Sequence, residues 1–423
     1  QAAVDVAADG DEILLADGVF IGDGNRDIDY AGKAITVRSA SDNPANCILD
    51  CQASPGNPHR GFVFQSGESI SSVLRGLTVT NAHVEGASPA SIGAGMFCTD
   101  SSPQIINCIF LGNSARGGAG AACRGVTVPT APHFTDCMFF DNETQLYGPG
   151  AGLYCHLASP RLKGCAFAGN SPGGMYSHAY SSPELDDCSF SGHPGLGLGC
   201  DAGVPSIENC RFHDNLGIAF RSHDATLTMS RCSFWHNHGT NGAALYLDWD
   251  FSGTISDCLI YGNTADESGG AVWCGTGSAT FINCSMAYNE AGSGAGGIDC
   301  GSATITLGNT IIAFSTGGQA IAGNASLSCC DLYGNAGGDW VGDIASQYGL
   351  DGNISEDPIF CDPWDDDFTL QSDSPCAPFS LPNPECDLIG SEPIGCEPPT
   401  AVLPPAEDAT WGGVKALFRS PAR

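Results

Sequence analysis

A cysteine phrase repeated ten times constrains this chain of 423 residues more than any other feature. Its clearest copy is Asn107-Cys108-Ile109-Phe110-Leu111-Gly112-Asn113, and variants recur around Cys137, Cys165, Cys188, Cys210, Cys232, Cys258 and Cys284. The phrase decays at Thr310/Ile312 and recovers at Cys330/Leu332/Asn335. With Thr310 counted as a member, successive steps are 29, 28, 23, 22, 22, 26, 26, 26 and 20 residues. Such a period marks a solenoid, in which each repeat buries its apolar face only against its neighbours.

The side chains say which solenoid. Paired helices are excluded, because 57 glycines would penalise every helical turn. Each repeat instead holds three short apolar snippets separated by turn residues. One coil reads Gly270-Ala271-Val272-Trp273-Cys274, then Thr280-Phe281-Ile282, then Cys284-Ser285-Met286. The residue before the repeated Cys is Asn107, Asp136, Gly164, Asp187, Asn209, Arg231, Asp257 or Asn283. Asn, Asp and Gly tolerate a left-handed backbone, so a one-residue corner recurs at this place. In a strand, Cys and the aromatic two places later then point the same way. The chain is expected to be all-β: a right-handed parallel β-helix with three short strands per coil, an N-terminal helical cap and an extended C-terminal tail. Phe110, Phe139, Phe167, Phe190, Phe212 and Phe234 should form one continuous interior stack.

Gly93-Ala94-Gly95-Met96, Gly150-Ala151-Gly152-Leu153 and Gly269-Gly270-Ala271-Val272 supply one half of a further pattern, and the Cys/Phe/Asn phrases supply the other. Together they resemble the pectin-lyase-like right-handed β-helix superfamily. More narrowly, they resemble bacterial surface proteins built from polymorphic outer-membrane-protein-type repeats. The resemblance spans roughly residues 10–390. It implies the fold, but the superfamily holds lyases, hydrolases, adhesins and scaffolds alike, so function must be argued from sites.

Residues 1–10 read as a cap helix that starts in mid-pattern, which implies residues upstream of it. Residues 11–396 read as the β-helix, with Asp357–Cys361 and Phe368–Leu370 as its last coil. Residues 397–423 read as a proline-rich linker and a basic, apolar tail carrying Trp411, Lys415, Leu417, Phe418 and Arg419. On a body of net charge −32 such a tail suits head-to-tail self-association, or a sorting signal. The same charge excludes nucleic acid as a partner, since phosphates are repelled. No apolar run approaches the ~18–20 residues of a transmembrane span.

Twenty-two cysteines point to an oxidising, extracellular or cell-surface location, in keeping with a bacterial surface protein. They fall into two inward columns. One reading is a ladder of small buried hydrophobes. The other is disulfides across each coil, pairing Cys98 with Cys108, Cys155 with Cys165, Cys200 with Cys210 and Cys274 with Cys284. Near the C-terminus, Cys361 with Cys376 and Cys386 with Cys396 are the expected bridges. No metal site is assigned from cysteine spacing and no cofactor is required. The acidic runs Asp23 to Asp27 and Asp362 to Asp367 are the candidates for Ca²⁺.

The outer face of the first strand is where chemistry would sit. Read coil by coil, the position after the first-strand Cys holds Arg124, His156, His178, Asp201, Arg221 and Asp248, with Tyr180, His223 and Asp250 two places further on. No catalytic residue is assigned. If the face is catalytic, His156, His178, Asp201, Arg221 and Asp248 would supply acid, base and charge stabiliser. Tyr154, Tyr176, Tyr246 and Trp273 are the rings that would stack on sugar faces. The catalytic signature of polygalacturonases is missing as a set. The closest approach to a lyase-like arrangement is Arg161 and Lys163 beside Glu184, Asp186 and Glu208 on the second strand, which a charge-paired surface also explains. The third-strand outer column of Leu111, Phe140, His213, Trp235, Tyr261 and Tyr333 reads as a contact surface. These features favour an extracellular structural or adhesive β-helix that assembles through its tail, with a polysaccharide-binding or polysaccharide-degrading protein as the alternative.

Overall fold

A computed structural model describes residues 1–145 and 150–398. The coils stack in register as three parallel sheets. The first-strand sheet has 12 strands, and the second- and third-strand sheets have 13 each. One coil runs through Met96–Thr99, Gln104–Ile106 and Ile109–Leu111. The right-handed parallel β-helix is therefore as the repeat implies. The tail residues Trp411, Lys415, Leu417, Phe418 and Arg419 lie outside the described residues.

The corner before the third strand sets the register. Its first residue is left-handed throughout: φ is 49° at Asn107, 51° at Asp136, 51° at Arg231 and 47° at Asn309. The thiol that follows donates to the carbonyl two residues back, across the corner. Cys108 reaches Ile106 at 3.3 Å, Cys210 reaches Glu208 at 3.1 Å and Cys258 reaches Ser256 at 3.1 Å. Thr310 stands where the phrase loses its cysteine, and its hydroxyl makes the same bond to Gly308 at 3.0 Å. A small side chain with one S–H or O–H donor is what this position requires.

That role corrects the expected disulfides. Cys98, Cys108, Cys155, Cys165, Cys200, Cys210, Cys274 and Cys284 are all buried free thiols. Some inward cysteines stack on one another, as in the row Cys98, Cys123, Cys155, others on serine or leucine, as Cys155 on Ser177 and Cys274 on Leu247, and third-strand thiols close their own corners. Both bridges form at the C-terminal end, with pairings other than those expected. Cys361 joins Cys396 and Cys329 joins Cys386, while Cys376 is free. The expectation took neighbours in sequence, but the segment folds back over the last coils and brings distant cysteines together.

Inside, the phenylalanines stack as expected. Ring centroids from Phe110 through Phe139, Phe167, Phe190 and Phe212 to Phe234 lie 5.1, 4.6, 4.7, 4.9 and 4.7 Å apart, and all six are fully buried. Beside them runs an asparagine ladder. Asn113 donates its backbone N–H and its Nδ2 to Oδ1 of Asn142, both at 3.1 Å, and Asn142 does likewise to Asn170. The ladder resumes from Asn215 through Asn237 and Asn263 to Asn289. Between the two runs stands His193. Its Nδ1 accepts the Asn170 N–H, but its buried Nε2 has no partner among the described residues. Burial pushes this imidazole down to about 4.

Both ends are closed against edge pairing. At the N-terminus the helix Ala2–Val6 sets Val4 into the core, and Lys33 donates to the carbonyls of Val4 and Asp5. At the other end the short helix Gly342–Gln347 buries Ile344, and the Gln347 amide pairs with the backbone of Ala325 and Leu327 as a further strand would. The expected last coil is not one. Phe360–Asp362, Asp367–Gln371 and Ile394–Cys396 form a separate three-stranded sheet. It packs outside the third-strand sheet, with Phe368 4.6 Å from the Tyr261 ring and Trp364 5.7 Å from Tyr288. Part of the third-strand apolar column is thus covered by the chain's own C-terminal segment. At this joint Asp331 is fully buried, accepting from the Glu356 N–H at 3.0 Å and the Cys376 thiol at 3.1 Å. Burial pushes its carboxyl up to about 7.

Two predictions follow from this interior. Phe212→Ala should cost roughly 3–5 kcal/mol in urea unfolding, through the cavity left in the stack. His193 and Asp331 oppose each other in pH. His193 is depressed from 6.5 to about 4, so its stability contribution is present above 6.5 and is lost as pH falls through that window. Asp331 is raised from 3.8 to about 7, so its contribution is present below 3.8 and is lost as pH rises towards 7. Relative to wild type, stability of His193→Asn should fall with rising pH, and that of Asp331→Asn should rise, each by up to about 1.4 kcal/mol per pH unit. Urea unfolding of all three proteins from pH 4.5 to 7.5 checks the signs.

Candidate functional site

Because coils stack in register, alternate residues of each first strand form straight outward columns. One column carries Ala122, Tyr154, Tyr176, Gly199, Arg221, Tyr246 and Trp273. Beside it runs Arg124, His156, His178, Asp201, His223 and Asp248. This corrects the expected place of Arg221. Ser222 occupies the inward position that Cys holds in most coils, so His223 joins Asp201 and Asp248, while Arg221 falls in the aromatic column. Tyr180 and Asp250 are not on the strand face; they sit in the following turns with φ of 64° and 53°.

The expected residues meet in two linked groups. Tyr154 Oη lies 2.5 Å from His178 Nε2, and His156 Nδ1 lies 3.1 Å from the same atom. On the adjoining rungs Tyr176 donates to Asp201, and Arg221 reaches both Asp201 oxygens at 3.1 and 3.2 Å and the Tyr176 hydroxyl at 3.3 Å. Gly199 makes this bridge feasible. A Cβ there would lie 2.6 Å from Leu196 Cδ2 and 2.8 Å from Tyr176 Cδ2, so only glycine leaves room between Tyr176 and Arg221. The sequence signal for it is the one gap in a run of large side chains.

Further along, Tyr246 and Trp273 stack at 4.5 Å with 20° between planes, and Tyr246 Oη donates to Asp248 at 3.4 Å. Trp249, 65% exposed, lies 5.0 Å from the His223 ring. His223, Asp224, Asp248, Trp249, Asp250 and Thr276 line an open depression of about 370 Å³. Trp249 and Asp224 were not singled out from sequence, because turn residues carry no strand periodicity.

Electrostatics divide the face. Burial lowers His156, helped by Arg124, and burial then His156 lower His178, so both imidazoles are neutral at pH 7. Burial and then Asp201 push Tyr176 up to about 12, which keeps its hydroxyl a donor. Asp201 is balanced by Arg221, whereas Asp224, Asp248 and Asp250 give the far end negative character.

On the second-strand sheet, Arg161 pairs with Glu184 at 3.0 Å and Lys163 with Asp186 at 3.2 Å, all well exposed. Each cation is matched by its neighbour, as a charge-paired surface would be. Asp23 is paired with Arg26, Asp27 with His59, and Asp367 accepts from Thr369. Among the described residues no group of three His, Cys, Asp or Glu side chains is arranged to hold a metal ion, and no helix is long and apolar enough to cross a membrane.

Residues 94–251 match the family described as right handed beta helix region, and residues 257–275 match the Chlamydia polymorphic membrane protein repeat. The protein folds as a right-handed parallel β-helix, and one stretch of it, residues 257–275, resembles the polymorphic membrane protein repeat. No curated protein sequence matches it. Among solved structures it is similar to the catalytic unit of a GH87 alpha-1,3-glucanase from Streptomyces thermodiastaticus, with a TM-score of 0.53 and 13% identity, covering 84% of this chain and 66% of that one. It is also similar to the PL6 family alginate lyase AlyGC, with a TM-score of 0.51 and 11% identity, covering 85% and 52%. This chain thus spans between about half and two thirds of those chains, and at such identities the likeness is one of fold.

Gly199→Ala tests the bridge. The added methyl must displace Leu196 or Tyr176, and should cost about 1–3 kcal/mol in urea unfolding. A variant as stable as wild type would show that the rungs have slack there.

Proposed function

We propose that this protein is an extracellular or cell-surface β-helix that binds a polysaccharide along the outer face of its first-strand sheet. The observation that carries this reading is the aligned face itself: Tyr154, Tyr176, Tyr246 and Trp273 in one column, with His156, His178, Asp201 and Asp248 beside it. Rings offer apolar faces to sugars, and the adjoining imidazoles and carboxylates offer hydrogen bonds to hydroxyls. The two disulfides and the polymorphic-membrane-protein repeat agree with a location outside the cell. The fold neighbours act on glycans by their names, in keeping with a glycan ligand. The acidic far end, in a chain of net charge −32, favours an uncharged polymer at neutral pH. Adhesion to a glycan-bearing surface follows from the same face. Filament formation through residues 397–423 is a separate proposal resting on their charge and apolarity alone.

A panel of soluble uncharged and acidic polysaccharides, run in affinity electrophoresis at pH 7.5, tests the reading. At least one uncharged glycan should retard the protein. Trp273→Ala or Tyr246→Ala should weaken that binding about tenfold, the worth of roughly 1.4 kcal/mol. No retardation by any glycan, or retardation untouched by either substitution, would remove this face as the binding site.

A further inference from the structure

The imidazoles of His156 and His178 touch, and that contact has a consequence for which glycan is bound. We propose that this pair makes ligand choice depend on pH: uncharged chains are taken at neutral pH, and chains bearing carboxylates are taken on mild acidification. The proposal deepens the glycan-binding reading above and rests on it.

The geometry limits the pair to a single added charge. His156 Nδ1 and His178 Nε2 are 3.1 Å apart, with ring centroids at 4.7 Å. One N–H between the rings satisfies both nitrogens, and Tyr154 Oη, 2.5 Å from His178 Nε2, is the alternative partner for that same atom. A second added proton would press two imidazolium ions together on the rung next to Arg124, and like charges at that distance repel. The groups facing the pair come from each packed strand: Arg124, Tyr154, Tyr176, Asp201 and, beyond Asp201, Arg221. The tyrosines stay neutral, since burial raises both. Asp201 is already paired with Arg221 at 3.1 Å, so it offsets only part of a new charge on His178. Arg124 is in register with His156 on the adjoining strand. One proton on the pair therefore sets two cations about one strand spacing, ~4.8 Å, apart. That arrangement suits the carboxylate of an acidic sugar. Burial, with Arg124 acting on His156 and His156 on His178, holds the imidazoles below their ordinary range, so the charge appears only below neutrality.

Calorimetric titration at pH 7.5 and pH 5.0 tests this, using an uncharged gluco-oligosaccharide and an oligouronate of equal length, with circular dichroism confirming the fold at both values. The oligouronate should bind about tenfold more tightly at pH 5.0, from one added charge near the ligand. The uncharged oligosaccharide should change less than about twofold. The double variant His156→Gln/His178→Gln should abolish the pH dependence for the oligouronate, since either imidazole left alone could still take the proton. Oligouronate affinity indifferent to pH in the unmodified protein, or a dependence retained in the double variant, overturns the proposal. Binding of neither sugar at either pH sinks the glycan reading and the pH choice with it. NMR titration of the imidazoles distinguishes these failures, because proton uptake by the pair needs no ligand. Uptake of one proton between pH 7.5 and 5.0 is expected, and no uptake while an uncharged glycan binds overturns the pH choice alone.

Discussion

Every column in this molecule depends on the corner before the third strand. A residue held at positive φ turns the chain, and the thiol or hydroxyl that follows ties the turn to the carbonyl two residues back. Repeated at the same place in each coil, this fixes where the third strand begins. Neighbouring coils then pair without a register shift in that sheet. A slip of one residue would turn the phenylalanine stack outward and bring polar side chains such as Ser189, Arg211 and His213 in. The asparagine ladder serves the next corner similarly, since each amide satisfies backbone groups that no strand partner reaches.

Departures from the repeat are as informative as the repeat. His193 replaces one asparagine and leaves a buried nitrogen without a partner among the described residues, a cost that grows if the ring is protonated. Gly199 replaces a large outward side chain and lets Arg221 lie between Tyr176 and Asp201. Ser222 replaces an inward cysteine and hides the register of its strand from a simple count. Two of these three shape the outer face on which the functional reading rests.

The C-terminal segment solves a different problem. A solenoid must end, and its last coil offers unpaired backbone and apolar surface. Here the Gln347 amide meets the last strand edge, while a small sheet covers Tyr261, Tyr288 and Phe314 on the flank. That small sheet has little core of its own, so two disulfides hold it where stacking cannot.

The sequence by itself determined the solenoid, its corners, its interior phenylalanine stack and the surface on which Tyr154, His156, Tyr176, His178, Asp201 and Asp248 gather. Those features repeat along the chain, and a period can be read without knowing where distant residues meet. Tertiary structure alone decided the rest. Cys361 bonds Cys396 and Cys329 bonds Cys386 because the C-terminal segment folds back over the third-strand sheet, a path that no local spacing encodes. Arg221 sits among the aromatic residues because strand pairing sets its rung, where counting from a missing cysteine misplaced it. The cysteines expected to bridge within a coil are free thiols, and those of the third strand bond the carbonyls of their own corners instead. Partners in a stacked fold are set by the coil above and the coil below, and only the assembled coils show which residues those are.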